Sequence, residues 1–172
     1  MGDSIQDQRM ERALGVASRQ RLELLSPLLG SGIHGTVLAA MCNGQPGIWA
    51  IKAFDRHAAY LRERDIYLRL QECSVHEIEG HNVPQLVRFD DDFWTLEMSI
   101  VTPPFVLDFA GAYLDRQPDF SPEVIADWRA DKEEQFGQGW EHVERILGSL
   151  ERFGIFLVDI HLSNIAFHGR IP

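Results

Sequence analysis

The three glycines of Gly30-Ser31-Gly32-Ile33-His34-Gly35-Thr36-Val37 constrain this chain more than any other segment. Glycines at this spacing suit a plain flexible hairpin as well as a ligand-binding loop, so their flanks decide what they mean. Leu22-Glu23-Leu24-Leu25 leads in, and Thr36-Val37-Leu38-Ala39-Ala40 leads out with β-branched and small apolar residues. Both flanks read as strands. A dinucleotide-binding loop needs a helix after its last glycine, whereas two strands make a hairpin whose backbone, bare of side chains, can approach a ligand closely.

The chain beyond the hairpin continues in the same style. Asn43-Gly44 and Pro46-Gly47 supply turn chemistry, and Ile48-Trp49-Ala50-Ile51-Lys52-Ala53-Phe54 predicts a third strand with Ala50 and Lys52 on one face. Asp55 is the expected cap of a helix over 57–71, whose face collects Ala59, Tyr60, Glu63, Ile66, Tyr67 and Leu70. Glu63 is the odd member, since a carboxylate on an apolar face is costly unless a cation meets it. Lys52 is one candidate; Arg56 and Arg64 are the others. Two more strands are expected over 84–89 and 93–101, the second alternating Trp94, Leu96, Met98 and Ile100, and Thr102-Pro103-Pro104 closes the sheet. Ser121-Pro122-Glu123 opens a helix over 122–136, and a second runs over 140–153 past Gly137 and Gly139. Residues 1–20 show no strong period and read as a frayed or loosely docked arm. The expected fold is α+β, with a five-stranded antiparallel sheet and one helix over 21–101 followed by a reduced helical part over 102–172.

Charge narrows the partners. A net charge of −10 opposes sequence-independent binding to nucleic acid or anionic membranes, leaving a protein or a metal-bound nucleotide as the expected partner. No apolar run nears the roughly 20 residues that cross a bilayer, and Met1 to Arg12 is polar and mixed in charge, so a cytoplasmic location is expected. Cys42 and Cys73 lack companions at metal-ligand spacing and read as reduced thiols. Asp90-Asp91-Asp92, between two apolar runs, reads as a solvated turn.

The glycine segment fits G-x-G-x-x-G-x-V, Trp49-Ala50-Ile51-Lys52 is close to V-A-I-K, and Asp159-Ile160-His161-Leu162-Ser163-Asn164 has the D-x-x-x-x-N spacing. In this order the three resemble the protein-kinase-like superfamily over residues 22–167. The Asp-x-His-x-x-Asn string resembles its aminoglycoside- and choline-kinase-like branch more than the eukaryotic protein kinases, because Leu157-Val158 stands where those have His-Arg. The resemblance implies ATP and Mg2+ as cofactors. It implies that Gly30, Gly32, Gly35, Val37 and Ala50 surround the nucleotide, that Lys52 held by Glu63 touches its phosphates, and that backbone groups at Glu97, Met98 and Ser99 read the adenine edge. It further implies that Asp159 accepts the proton of a substrate hydroxyl and Asn164 binds a magnesium ion. Residues 165–172 contain no Asp to match the family's D-F-G metal ligand. Three readings follow: a kinase-like ATP-binding protein acting on Ser/Thr or small-molecule hydroxyls, a pseudokinase-like interaction module without catalysis, or a plain α+β domain. For the interaction module, the strand edge at Asn164 to Phe167 is the expected surface for a protein partner or self-association.

Overall fold

The computed structural model describes residues 2–42 and 47–167, so Asn43, Gly44 and Pro46 of the expected turn lie outside the described residues. Helix α1 (Gly2–Gln20) precedes strands β1 (Leu22–Ser31), β2 (Gly35–Cys42) and β3 (Ile48–Phe54) and helix α2 (His57–Glu72). Short strands β4 (Glu77–Ile78) and β5 (His81–Asn82) lead to β6 (Leu86–Asp90) and β7 (Thr95–Ser99). Strands β8 (Phe105–Val106) and β9 (Tyr113–Leu114), helices α3 (Pro122–Phe136) and α4 (Trp140–Glu151), and strands β10 (Ile155–Phe156) and β11 (Ile165–Ala166) complete the order. Two compact units result, Met1–Arg64 with Gln85–Ile100 and Asp65–Pro84 with Val101–Pro172. The division falls inside α2, after Pro84 and after Ile100, where the sequence suggests one point after Val101.

In the first unit the antiparallel sheet has the order β1-β2-β3-β7-β6. Lys52 stands opposite Val37 and Leu96, and Ala50 opposite Ala39 and Met98, so these six residues share one face. The other face carries Leu38, Ala40, Ile51 and Ala53, and α1 covers it through Ala13 and Val16. Residues 2–20 are thus a packed helix where an arm is expected. Its apolar stripe is short and built of alanines, and Arg9, itself buried, interrupts it. Gly15 lies so close to the Phe93 ring that a Cβ there would run into it. On the edge strand β1 the register breaks between Leu25 and Gly30, setting residues 26–29 against the single residue 38.

Asp90-Asp91-Asp92 is a turn, but its carboxylates are partnered. Asp90 accepts the N–H groups of Asp92 and Phe93 at 3.0 Å each, and Asp90 and Asp92 both meet Arg19 of α1 at 2.8 and 3.0 Å. Asp91 accepts from the Tyr60 hydroxyl at 2.6 Å and pairs with Arg64 at 2.7 Å. The turn therefore ties α1 and the start of α2 to the sheet. Trp94, expected in the strand, sits in this turn at φ 46°, under the Arg12 guanidinium at 3.6 Å. The cap of α2 also differs from expectation: the Arg56 carbonyl accepts the first bond, from Tyr60 N at 3.1 Å, while Asp55 receives Arg9.

The Tyr60–Asp91 bond sets a pH window. Burial, then the bond to Asp91, pushes the Tyr60 phenol above its ordinary value of 10.0, so this contribution to stability is whole below that pH and lost as the pH climbs. The same bond holds Asp91 below its ordinary value of 3.8, so that contribution is whole above it and lost in acid. The thermal-stability difference between wild type and Tyr60→Phe is expected to be largest near neutrality and to shrink in both directions. A difference that stays constant from acid to alkali would contradict this.

In the second unit α3 starts as the sequence predicts, with Ser121 Oγ accepting Val124 N at 3.4 Å and Pro122 at the first helical position. Helix α4 buries Trp140, Val143, Ile146 and Leu150, a regular amphipathic stripe. The two-residue strands form a ladder β10-β9 and a sheet of order β11-β8-β5-β4. Arg69 fixes the β9–β10 end, bonding Asp115 through both nitrogens at 2.9 and 2.6 Å and the Phe153 carbonyl at 2.8 Å. Among the described residues no helix is long and apolar enough to cross a membrane.

Candidate functional site

The glycine hairpin divides by role. Gly35 begins β2 over Lys52, and a Cβ on it would lie 2.9 Å from the Ala53 carbonyl oxygen and 3.2 Å from Lys52 Cε, so close sheet packing requires glycine there. Nothing lies within 4 Å of a Cβ built at Gly30 or Gly32, and neither has a positive φ. Neither packing nor backbone conformation calls for glycine at these two positions. Open space above a bare backbone is what remains.

Lys52 and Glu63 meet beside this hairpin. The ammonium lies 2.9 Å from Oε1 and 2.7 Å from Oε2 of Glu63, and the two residues are 6% and 0% exposed. Period-two alternation aims Lys52 off the Ala50 face of β3, and the helical period of α2 aims Glu63 inward with Tyr60 and Tyr67. Of the three candidate cations Lys52, Arg56 and Arg64, Lys52 meets Glu63, while Arg64 turns to Asp91 and Arg56 to Asp55 at 3.8 Å. A two-oxygen grip on a buried ammonium offsets a desolvation cost of several kcal/mol per ion only because the geometry is this good.

The residues expected to read a base edge are placed differently. β7 lies between β3 and β6, so its backbone faces two ladders. Ser99 N donates to the Gln85 carbonyl and Ser99 Oγ accepts Gln85 N, both at 2.9 Å. Glu97 projects to the α1 face, opposite Ile51, where Arg88 grips it with two bonds of 2.9 Å. Only Met98 of the three presents its side chain on the Lys52 face, beside Ala50. The first residue beyond the strand is Ile100, which is 42% exposed.

In the second unit, Asp159 and Asn164 bracket a loop. Asn164, 4% exposed, accepts His161 N on Oδ1 at 2.7 Å and donates Nδ2 to the Asp159 carbonyl at 2.7 Å, closing the loop on itself. Ile160 and Ile165 anchor it in the core, and Trp128 of α3 donates to the Val158 carbonyl at 2.9 Å. The Asp159 carboxylate, 41% exposed, accepts His161 Nε2 at 2.7 Å. Gly111 lets it pack there, for a Cβ at 111 would lie 2.9 Å from Asp159 Cβ. The result is a solvent-reaching carboxylate held by an imidazole and fixed at its backbone by an amide.

No family model, curated protein or solved structure matches this chain. The chemistry of the site rests on its own residues. Among the described residues no cluster of three or more His, Cys, Asp or Glu could hold a metal ion. Asn164 Oδ1, already accepting from His161, has one lone pair left, so a metal held here would take few ligands from the described residues and most from a bound phosphate or water.

Arg9, Gly111 and Trp128, which position the site, escape the sequence reading, as does Arg88, which holds Glu97 on the opposite face of the sheet. Arg9 donates Nη1 to the Gly32 carbonyl at 2.9 Å and Nη2 to the Ile33 carbonyl at 2.6 Å, and it pairs with Asp55 at 2.8 Å. No periodicity or motif marks any of the four. Arg9, Gly111 and Trp128 matter through contacts distant in sequence, and Arg88 through the next strand.

Proposed function

We propose that the first unit binds a nucleoside triphosphate, as a kinase-like ATP-binding protein does. The observation that carries this reading is the buried Lys52–Glu63 pair under a hairpin whose Gly30 and Gly32 have no structural need to be glycine. An ammonium whose position is fixed by a carboxylate can meet phosphate oxygens without reorganising, and glycines let backbone N–H groups reach the same oxygens. Val37, Ala50 and Met98 are the apolar residues on the Lys52 face that a base would pack against, Ala50 and Met98 each being 6% exposed.

Bound Mg-ATP would supply the phosphoryl group and neutralise its charge. In the second unit, Asp159 is suited to accept the proton of an acceptor hydroxyl, on a Ser/Thr side chain or a small molecule, with His161 orienting its carboxylate and Asn164 holding the loop. Titration of ATP into the wild type is expected to show saturable binding. The paired Lys52→Met/Glu63→Gln variant is expected to bind at least about tenfold more weakly, the scale of one charge-assisted hydrogen bond. Failure of the wild type to bind, or equal affinity in the variant, would sink the reading.

A second reading, a pseudokinase-like interaction module, draws on the metal-poor ligand set and on β11. That strand pairs with β8 on one side and ends its sheet, with no strand beyond it among the described residues. Transfer of labelled phosphate to any acceptor, abolished by Asp159→Asn, would eliminate this alternative.

A further inference from the structure

Arg9 sits on the face of the sheet away from Lys52, yet its partners belong to the hairpin. Arg9 is 5% exposed, and its guanidinium bonds three groups: the Gly32 carbonyl, the Ile33 carbonyl and Asp55 just past the end of β3. Both carbonyls are at the hairpin tip, which closes through Gly32 N to the Gly35 carbonyl at 3.0 Å. A second tie runs from the same helix: buried Thr36 donates its hydroxyl to Gln6 Oε1 at 3.0 Å. Helix α1 therefore holds the tip by one cation and one amide. A glycine hairpin is otherwise the least constrained backbone in a protein, and ordering it on binding costs free energy that preorganisation avoids.

We propose that Arg9 is a positioning residue that fixes the glycine hairpin in the conformation that receives phosphates, making α1 a working part of the nucleotide site. This rests on the reading of that hairpin as a nucleotide loop. Drawing both tip carbonyls to one guanidinium turns them toward α1, while the Gly32 N–H closes the tip on the Gly35 carbonyl. The planar fork of Arg can hold two carbonyls and a carboxylate at once, whereas the single nitrogen of Lys cannot match that spread.

The test is Arg9→Lys, which keeps a positive charge for Asp55, alongside Arg9→Met/Asp55→Asn, which removes both charges and leaves neither buried alone. Affinities for ATP and for adenosine are measured for each by calorimetry, with thermal unfolding as a control. ATP binding is expected to weaken about tenfold in both variants, the cost of ordering a few hairpin residues, while adenosine binding holds within about twofold. A merely structural role would weaken both ligands together, and that result, or unchanged ATP affinity, overturns the positioning role alone. Absence of ATP binding by the wild type overturns the nucleotide reading and this role with it.

Discussion

Lys52→Met is expected to lower the stability of the first unit by about 3–5 kcal/mol, and Lys52→Met combined with Glu63→Gln by far less. The single change removes both bonds that the Glu63 carboxylate takes from the ammonium and leaves its charge fully buried, which is costly in a core. The paired change leaves an amide and a thioether of similar size, which a low-dielectric surrounding tolerates. Hydrogen exchange of the β2 and β3 amides in urea follows this unit separately from the other. Additive effects of Lys52→Met and Glu63→Gln would show that the two groups do not depend on each other and would remove the strongest feature of the site.

Asn164→Ala is expected to cost about 2–4 kcal/mol, since it strands the His161 N–H and the Asp159 carbonyl together. Asn164→Asp separates loop closure from the metal-ligand role that the family resemblance implies for this residue. A carboxylate is the better ligand for a hard cation, yet here one oxygen would keep His161 N while the other faced the Asp159 carbonyl oxygen in place of a donor. The Asp variant is therefore expected to stay well below wild type in thermal stability and to lose exchange protection at the His161 amide. Wild-type protection in either variant would mean that the loop is closed by something other than this side chain.

How much of this was written in the chain depends on whether the cause is local. The order of β1, β2, β3, α2, β6 and β7 follows from alternation, from glycine-bearing turns and from one helical period, all of which act over a few residues. So do the ends of α3, where a Ser-Pro-Glu start leaves little choice. The Lys52–Glu63 pair was legible because an acid on an apolar helix face asks for a cation and the preceding strand carries a lysine. Helix α1 was not, because its buried positions are Ala13, Val16 and Ala17 beside a buried arginine, a pattern that looks polar until the sheet face it covers is known. That the backbone at Glu97 to Ser99 lies between two ladders was not legible for a related reason: whether a strand is central or at an edge is a property of its neighbours, not of its residues. The two-residue strands of the second unit are too short to carry a period at all.

The interrupted register of β1 has a meaning for self-association. An outer strand with a continuous row of free N–H and C=O groups is a template on which copies can add. Here an incoming strand would find a regular run at Leu22 to Leu25, then Ser26 to Leu29 out of step and Pro27 with no N–H to give, then only Gly30 and Ser31 before the tip. Leu28 and Leu29, 41% and 50% exposed, sit where a flat edge would make them adhesive. The break keeps them on a contour that a straight strand cannot follow, and so guards the hairpin against being zipped shut by another molecule.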